Sequence, residues 1–440
     1  MVGDALRDVL GLRLRQCRGR RRDPDCSPDK EEHLAGPLQG IRVVDFTHFQ
    51  AGSVCSLILA DMGAEVIKVE PLIGDDGRRG HYPAPHGESL YFQVHNRNKL
   101  SLTLDIRTPE GKEVLRDLVK TSDVFVENYR PGVLQRLGFG YEALRKMHPS
   151  IVMTSVSGFG QYGPYSHWPA HDMILHAMSG IMSLNGQPGS PPTRVGVAIA
   201  DYGGGIFGAL GTASALYRRS ITGQGEHVDV AMLDALLFQL DTNPMCYKYN
   251  GDLYSRTGNR FPGSGPCGYY PCKDGGVYLI ASADWRWKGL SQMIGRPEMG
   301  EDSQYARNID RFEHQDEIDP VIEAWTRQRS VGEVLKAAEE HEVIAGPVLD
   351  LPQVLENEHG KARQMFVEME HPLAGKLTYP GAVVKMRNNP PEVKRPGPLL
   401  GEHNGYVLSE LLGYATGRLR ELEDKEIVHA KAPSALPHEE

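Results

Sequence analysis

The 440-residue sequence predicts an α/β protein with a parallel sheet and a second, smaller domain. Two observations carry this. Over the first half, short apolar runs alternate with helix-like stretches, and strands that alternate with helices make a parallel sheet the economical arrangement. After about residue 238 the texture changes to segments rich in Gly, Pro and aromatic residues.

The folded part begins at "GPLQGIRVVDFT", where Ile41 to Phe46 reads as a short buried strand. "SVCSLILADMG" is a helix ending at Gly63, "AEVIKVE" a second strand and "LSLTLDI" a weaker third. In "TPEGKEVLRDLVKTSD", Thr108 is the N-cap and an acid sits in the first turn, with Val114, Leu115 and Leu118 on one face. "VFVENY" and "IVMTSV" are two more strands. "DYGGGIFGALGTASALYRRSITGQG" is a long helix in which Gly205, Gly208, Gly211 and Ala215 admit a close neighbour, a packing role rather than a phosphate loop. "EHVDVAMLDALLFQL" is a strand, then a helix. Further on come the strand "GVYLIA" and helical segments from Trp285 to His341. A proline-rich stretch then leads to a last helix in "GEHNGYVLSELLGY", expected to pack back on the first domain. The expected division is a basic, disordered tail at 1–35, a large domain at 36–238, a small domain with linkers at 239–384, and a return to the large domain at 385–440.

Bulk properties exclude some functions. A hydrophobic content of 40% with 24% charged residues is that of a soluble globular protein. A net charge of -9 argues against nucleic acid as a partner, and no apolar run is long enough to span a bilayer. The cysteines at 17, 26, 55, 246, 267 and 272 form no C-x-x-C pair and no zinc pattern, so they read as reduced thiols and no metal is expected. The tail carries seven arginines between positions 7 and 22. It reads as a solvated basic tail, as translated upstream sequence without a role, or as a transit peptide, a pattern that Asp4 and Asp8 spoil. The expected location is the cytoplasm, or the mitochondrion if the tail is a transit peptide.

"SVSGFGQYGPYSHWPAHDMILHAMSG", Ser155 to Gly180, contains a G-x-G-x-x-G. A dinucleotide fingerprint needs a helix to start inside it. Here Pro164 follows the third glycine and Pro169 comes soon after, which makes a loop. The helix-like run begins only at Met173, and Asp172 stands at its head. Asp172 is a helix cap on one reading and a carboxylate nucleophile beside unshielded loop N–H groups on the other.

Several separated stretches, "DFTHFQAG", "LADMGAEVIKVE", "NRNKLSLTLDIRTPEG", "VENYRPGVLQRLGFGYEAL", "SVSGFGQYGPY", "TGQGEHVDVAMLDA" and "PLLGEHNGYVLSELLG", together resemble the class III CoA-transferases. That is the family that includes formyl-CoA:oxalate CoA-transferase, and the likeness runs from about residue 36 to 415. "MEHPLAGKLTYPGAVV" is similar to the family's dicarboxylate-handling branch. The resemblance implies a Rossmann-like large domain plus a smaller α+β domain, in an interlocked homodimer. It implies CoA transfer from an acyl-CoA to a small carboxylic acid, with coenzyme A as substrate and no permanently bound cofactor.

The resemblance makes Asp172 the nucleophile, forming an aspartyl anhydride and then a thioester. It places Gln50 near the reacting carbonyl, where its amide donates to the oxyanion or orients the acceptor; the alternative is a helix cap. His48 and Ala51 fall in the CoA-lining segment, His48 reading equally as a half-buried structural residue. Arg136 and Lys99 match family cations for the CoA phosphates, with Arg97 and Lys68 as nearby candidates, each reading otherwise as a solvated surface charge; Asn128 and Tyr129 border the adenosine, and Gly158 and Phe159 belong to the substrate loop. The departures matter. Pro71 stands where the formyl-CoA branch has an arginine, leaving Arg78 or Arg79 to substitute. Ser157 and Phe159 replace a lysine and a tyrosine, the family's glycine run is reduced to "PGSGPCG", and His176 stands where many members have glutamine. These departures argue against oxalate as acceptor. A 2-methylacyl-CoA racemase, pairing the aspartate with His171, His148 or His176 as base, is the nearest rival. A non-catalytic CoA-binding protein is a rival of another class.

Overall fold

The computed structural model describes residues 36–79, 82–83, 87–251 and 256–429. The tail assigned to 1–35 lies outside the described residues. A six-stranded sheet joins β1 (Arg42–Phe46), β2 (Glu65–Glu70), β3 (Leu100–Thr103), β4 (Val124–Glu127), β5 (Val152–Ser157) and β6 (His227–Ala231) in the order β3-β2-β1-β4-β5-β6. All neighbours are parallel. Such a sheet is covered on both faces, so its strands are apolar on both; every residue of β4 is buried. The strand order reverses between β1 and β4. Chains leaving those two strands turn opposite ways and open a crevice at their carboxyl ends, the usual ligand position in doubly wound folds.

The helices around this sheet include α1 (Ala51–Asp61), α2 (Leu90–Asn96), α3 (Pro109–Lys120), α4 (Asp172–Met178) and α5 (Ile199–Thr222). Thr108 caps α3, its Oγ1 accepting from Gly111 N at 3.0 Å, and Val114, Leu115 and Leu118 are buried as predicted. Helix α1 is buried along nearly its whole length because α5 covers it. The glycines of α5 permit this: a Cβ on Gly205 would stand 2.5 Å from Val54 Cγ1, and one on Gly208 3.0 Å from Val156 Cγ2.

One face of the sheet packs Val44, Ile67, Leu102, Leu115 and Phe125 together with Val407, Leu408, Leu422 and Ile427. The C-terminal segment thus returns to the first domain. It does so differently from the single helix expected: a π-helical turn, Tyr406–Leu411, ends before Gly413 at φ 69°, and a separate helix, Thr416–Asp424, follows. The other face packs Val43, Cys55, Leu59, Val126, Val156 and Leu216. A further core between Tyr270 and Val343, including Trp287, Leu290, Ile318 and Ile322, belongs to the smaller unit. It contains the antiparallel sheet β7 (Cys267–Cys272), β8 (Gly275–Ile280) and β9 (Ile344–Pro347). A hairpin, β10 (Phe366–His371) and β11 (Gly375–Pro380), docks on α2 through Tyr379 Oη donating to Gln93 Oε1 at 2.8 Å. No helix among the described residues is long and apolar enough to cross a membrane.

Candidate active site

A cleft of about 630 Å³ opens at the carboxyl ends of β1, β4 and β5. His48, Gln50, Ala51, Asn128, Gly158 and Asp172 all line it, although the sequence scatters them over more than a hundred positions. A cavity of equal volume, lined by Asp61, Glu65, Lys394 and Arg395, lies at the amino ends of β2 and β3. That is the wrong end of the sheet for a ligand in this topology.

Asp172 is the first residue of α4 and does not cap it. Its Oδ1 instead accepts from Ala200 N at 2.8 Å and Asp201 N at 3.4 Å, two amides in the first turn of α5. The positive end of a 24-residue helix therefore faces the carboxylate. Its Oδ2 lies 3.2 Å from His176 Nε2. His176 is fully buried, and neither ring nitrogen makes a properly directed hydrogen bond. Gly158 is required beside this carboxylate, since a Cβ there would overlap Ala170 Cβ at 2.2 Å.

Opposite stands the segment that comes after β1. Phe49 adopts φ 54°, a left-handed conformation that costs a bulky residue energy and marks a constrained turn. Gln50 is the N-cap residue of α1 through its backbone, its O accepting from Val54 N at 2.8 Å, and its side chain makes no cap bond. Its Oε1 accepts from Tyr91 Oη at 3.4 Å, and the residue lines the cleft.

Several expected contacts are corrected by burial. Lys99 and Lys68 are wholly buried. Lys99 Nζ pairs with Asp45 Oδ2 at 2.8 Å and donates to Ser53 O at 3.1 Å; Lys68 Nζ pairs with Asp75 Oδ2 at 2.9 Å and donates to Thr47 O at 3.0 Å. The two ammonium groups hold the carbonyls at either end of the 47–53 segment and cannot reach a phosphate in solvent. Burial pulls the Lys99 ammonium down to about 8, against the pull of Asp45. For Lys68, burial acts the same way but Asp75, Asp45 and Glu70 outweigh it and raise its pKa. Arg97 is buried against Asp61 at 2.6 Å. Arg78, offered as a replacement for the missing arginine, forks onto Glu70 at 2.6 and 2.8 Å. Asn128 clasps the His48 backbone, accepting from its N at 2.9 Å and donating to its O at 2.7 Å. Phe159 packs edge-on against Tyr165 and Trp168 and faces a different cavity. Arg136 is exposed and lines none of these cavities.

Tyr129 links the cleft to a smaller cavity of about 350 Å³ formed by Phe46, Tyr129 and residues 69–73 and 104–107, at the carboxyl ends of β1 to β3. A row of rings connects the two: Phe46 to Tyr129 at 5.4 Å, Tyr129 to His48 at 4.8 Å, His48 to Phe49 at 5.5 Å and Phe49 to His171 at 6.5 Å. Burial lowers the His48 pKa, with Asp75 opposing.

Three lining groups escape a reading of the sequence: Tyr91, Arg194 and Asp201. Asp201 heads the "DYGGG" stretch, where the glycines dominate the pattern. Burial, and then the nearby Asp172 charge, push its carboxyl up to about 7. Arg194 is the lone cation in "PPTRVGVA". Of the candidate histidine bases, His171 lines the cleft, His176 lies under Asp172, and His148 lies outside the lining. Among the described residues no group of three or more His, Cys, Asp or Glu is arranged to hold a metal.

Comparison with known proteins gives the family. The family model for CoA-transferase family III matches residues 38–404. The chain is 37% identical over 394 residues to succinyl-CoA--D-citramalate CoA-transferase of Chloroflexus aurantiacus, covering 89% of this chain and 98% of that one. It is 37% identical over 408 residues to formyl-CoA:oxalate CoA-transferase of Streptomyces avermitilis, covering 89% and 99%. Among solved structures, a CAIB/BAIF family protein from Brucella suis superposes with a TM-score of 0.77 at 31% identity, covering 86% and 100%.

Proposed function

The chain belongs to CoA-transferase family III, and from that premise we propose that it moves coenzyme A from an acyl-CoA to a small carboxylic acid through acylation of Asp172. The observation that carries this reading is the position of Asp172. It lines the cleft at the switch point together with Gln50, with Oδ1 bound by the α5 amides and Oδ2 3.2 Å from His176 Nε2.

The nucleotide of CoA is assigned to the smaller cavity, whose lining includes Arg107, an exposed guanidinium paired with Asp105 at 2.8 Å that a phosphate would have to draw from that carboxylate. The pantetheine arm then tracks the Tyr129–His48–Phe49 row to bring the thioester to Asp172. The carboxylate attacks the thioester carbonyl, and Gln50 Nε2 donates to the oxygen that becomes negative. The C–S bond breaks, leaving a mixed anhydride and CoA thiolate. The thiolate attacks the aspartyl carbonyl, releases the donor acid and gives an aspartyl thioester. The acceptor carboxylate enters by the reverse sequence. The first attack is uphill, because a carboxylate of pKa about 4 displaces a thiolate of pKa about 8.5. Orientation in the cleft is what makes it feasible.

The same reading includes a homodimer. Its support is a stripe of exposed apolar residues along α5, Tyr202, Ile206, Leu210, Tyr217 and Ile221, spaced so that they share one helix face. Sedimentation at decreasing concentration tests it, and an interlocked pair does not dissociate on dilution. Hydroxylamine trapping tests the covalent step: with donor alone, the peptide containing Asp172 gains a hydroxamate. Solvent deuterium at the acyl α-carbon, with no trapped adduct, would establish the racemase reading instead.

A further inference from the structure

Resting on the transferase reading, we propose that Arg194 selects dicarboxylic acyl groups by binding the carboxylate remote from the reacting carbon. Among the described residues, the cleft is lined by two carboxyl groups, Asp172 and Asp201, and by one guanidinium, Arg194. An acid with a second negative charge gains nothing from the two carboxyl groups and needs the guanidinium.

Arg194 is available for this. Its Nη1 donates only to the neighbouring Val195 O at 3.0 Å, and it is in no ion pair among the described residues. Arg97, Arg78 and Arg219, by contrast, are all committed to carboxylates. The backbone carrying Arg194 is fixed. Thr193 N donates to Met182 O and Asn185 O, both at 3.2 Å, and Asn185 Nδ2 donates back to Thr193 O at 3.0 Å. From this pinned turn the chain passes Gly196, Val197 and Ala198, which also line the cleft, to the α5 amides that hold Asp172. One short segment therefore carries both the remote-charge anchor and the donors that orient the nucleophile. The nucleotide cavity lies across the Tyr129–His48 pair, on the other side of the cleft lining.

A guanidinium paired with a carboxylate in a fork distinguishes an acid that has the second group from one that lacks it. The probes are a matched pair: succinate and butyrate as acceptors, and succinyl-CoA and butyryl-CoA as donors. In Arg194→Gln, the ratio of kcat/KM for the dicarboxylic over the monocarboxylic member falls about 10- to 100-fold. It falls on both sides of the reaction, because donor and acceptor acyl groups occupy one site, and Arg194→Lys recovers part of it. The melting temperature stays put, since Arg194 is exposed. An equal loss for both acids overturns the proposal. So does a rise in KM for every CoA ester regardless of acyl group, which would give Arg194 to the CoA phosphates. If the wild-type protein transfers CoA to no acid at all, the transferase reading fails first and takes this inference with it.

Discussion

Two sets of charges flank the Gln50 segment, and they are built on opposite principles. Behind it, Asp45, Lys99, Lys68, Asp75, Glu70 and Arg78 are almost wholly buried and matched ion to ion. In front of it, Asp172, Asp201 and Arg194 line an open cleft; Asp172 lies 3.2 Å from His176 Nε2, and Asp201 and Arg194 are in no ion pair among the described residues. The first set holds carbonyls and a turn in place. The second set is left with charge to offer a ligand. Cation type alone does not separate the two; pairing and burial do.

The strongest way to break this comparison is Asp172→Asn. The amide keeps the shape but is a poor nucleophile, so transfer falls by about 10⁴-fold or more while the melting temperature holds. A comparable loss from a substitution behind the segment, without unfolding, would erase the distinction. Lys99→Ala leaves Asp45 buried without its partner and destabilises the fold by about 3–5 kcal/mol, read by denaturant titration. Gln50→Ala removes the proposed oxyanion donor: kcat falls about 100-fold with little change in stability. A further prediction is a pH dependence. The Asp201 carboxyl titrates at about 7 when folded, against about 4 for an ordinary aspartate. The folded state thus keeps a proton that the unfolded chain releases. The stabilisation that this proton brings is complete below about pH 4 and is lost as pH rises through about 7. Thermal melts of the wild type should lose stability over that window relative to Asp201→Asn; parallel curves would show that Asp201 is ordinary.

Legibility in the sequence divides along the same line. The strands and α3 are legible because their apolar spacing and the Thr108 cap act locally. The glycines of α5 are legible as packing because no helix tolerates so many without a close neighbour. Asp172, Gln50 and His48 are legible through the family motifs. Lys68 and Lys99 are misplaced by the sequence because their partners, Asp75 and Asp45, meet them only once the sheet is formed. Asp201 and Arg194 go unread for the same reason: nothing local links them to Asp172, and the cleft that unites them is a product of topology.

The clasp of α5 on a single oxygen of Asp172 has an isotopic consequence. Oδ1 is held by the amides of Ala200 and Asp201, which opposes rotation of the carboxylate and makes Oδ2 the attacking oxygen of the proposed reaction. In each cycle of the proposed reaction that attacking oxygen leaves with the donor acid, and an oxygen from the acceptor replaces it. An acceptor labelled with heavy oxygen at both carboxylate positions should therefore load the aspartate with one heavy atom and never two, however many turnovers elapse. The second oxygen would remain the one the ribosome supplied, a permanent resident beside an atom renewed at every cycle.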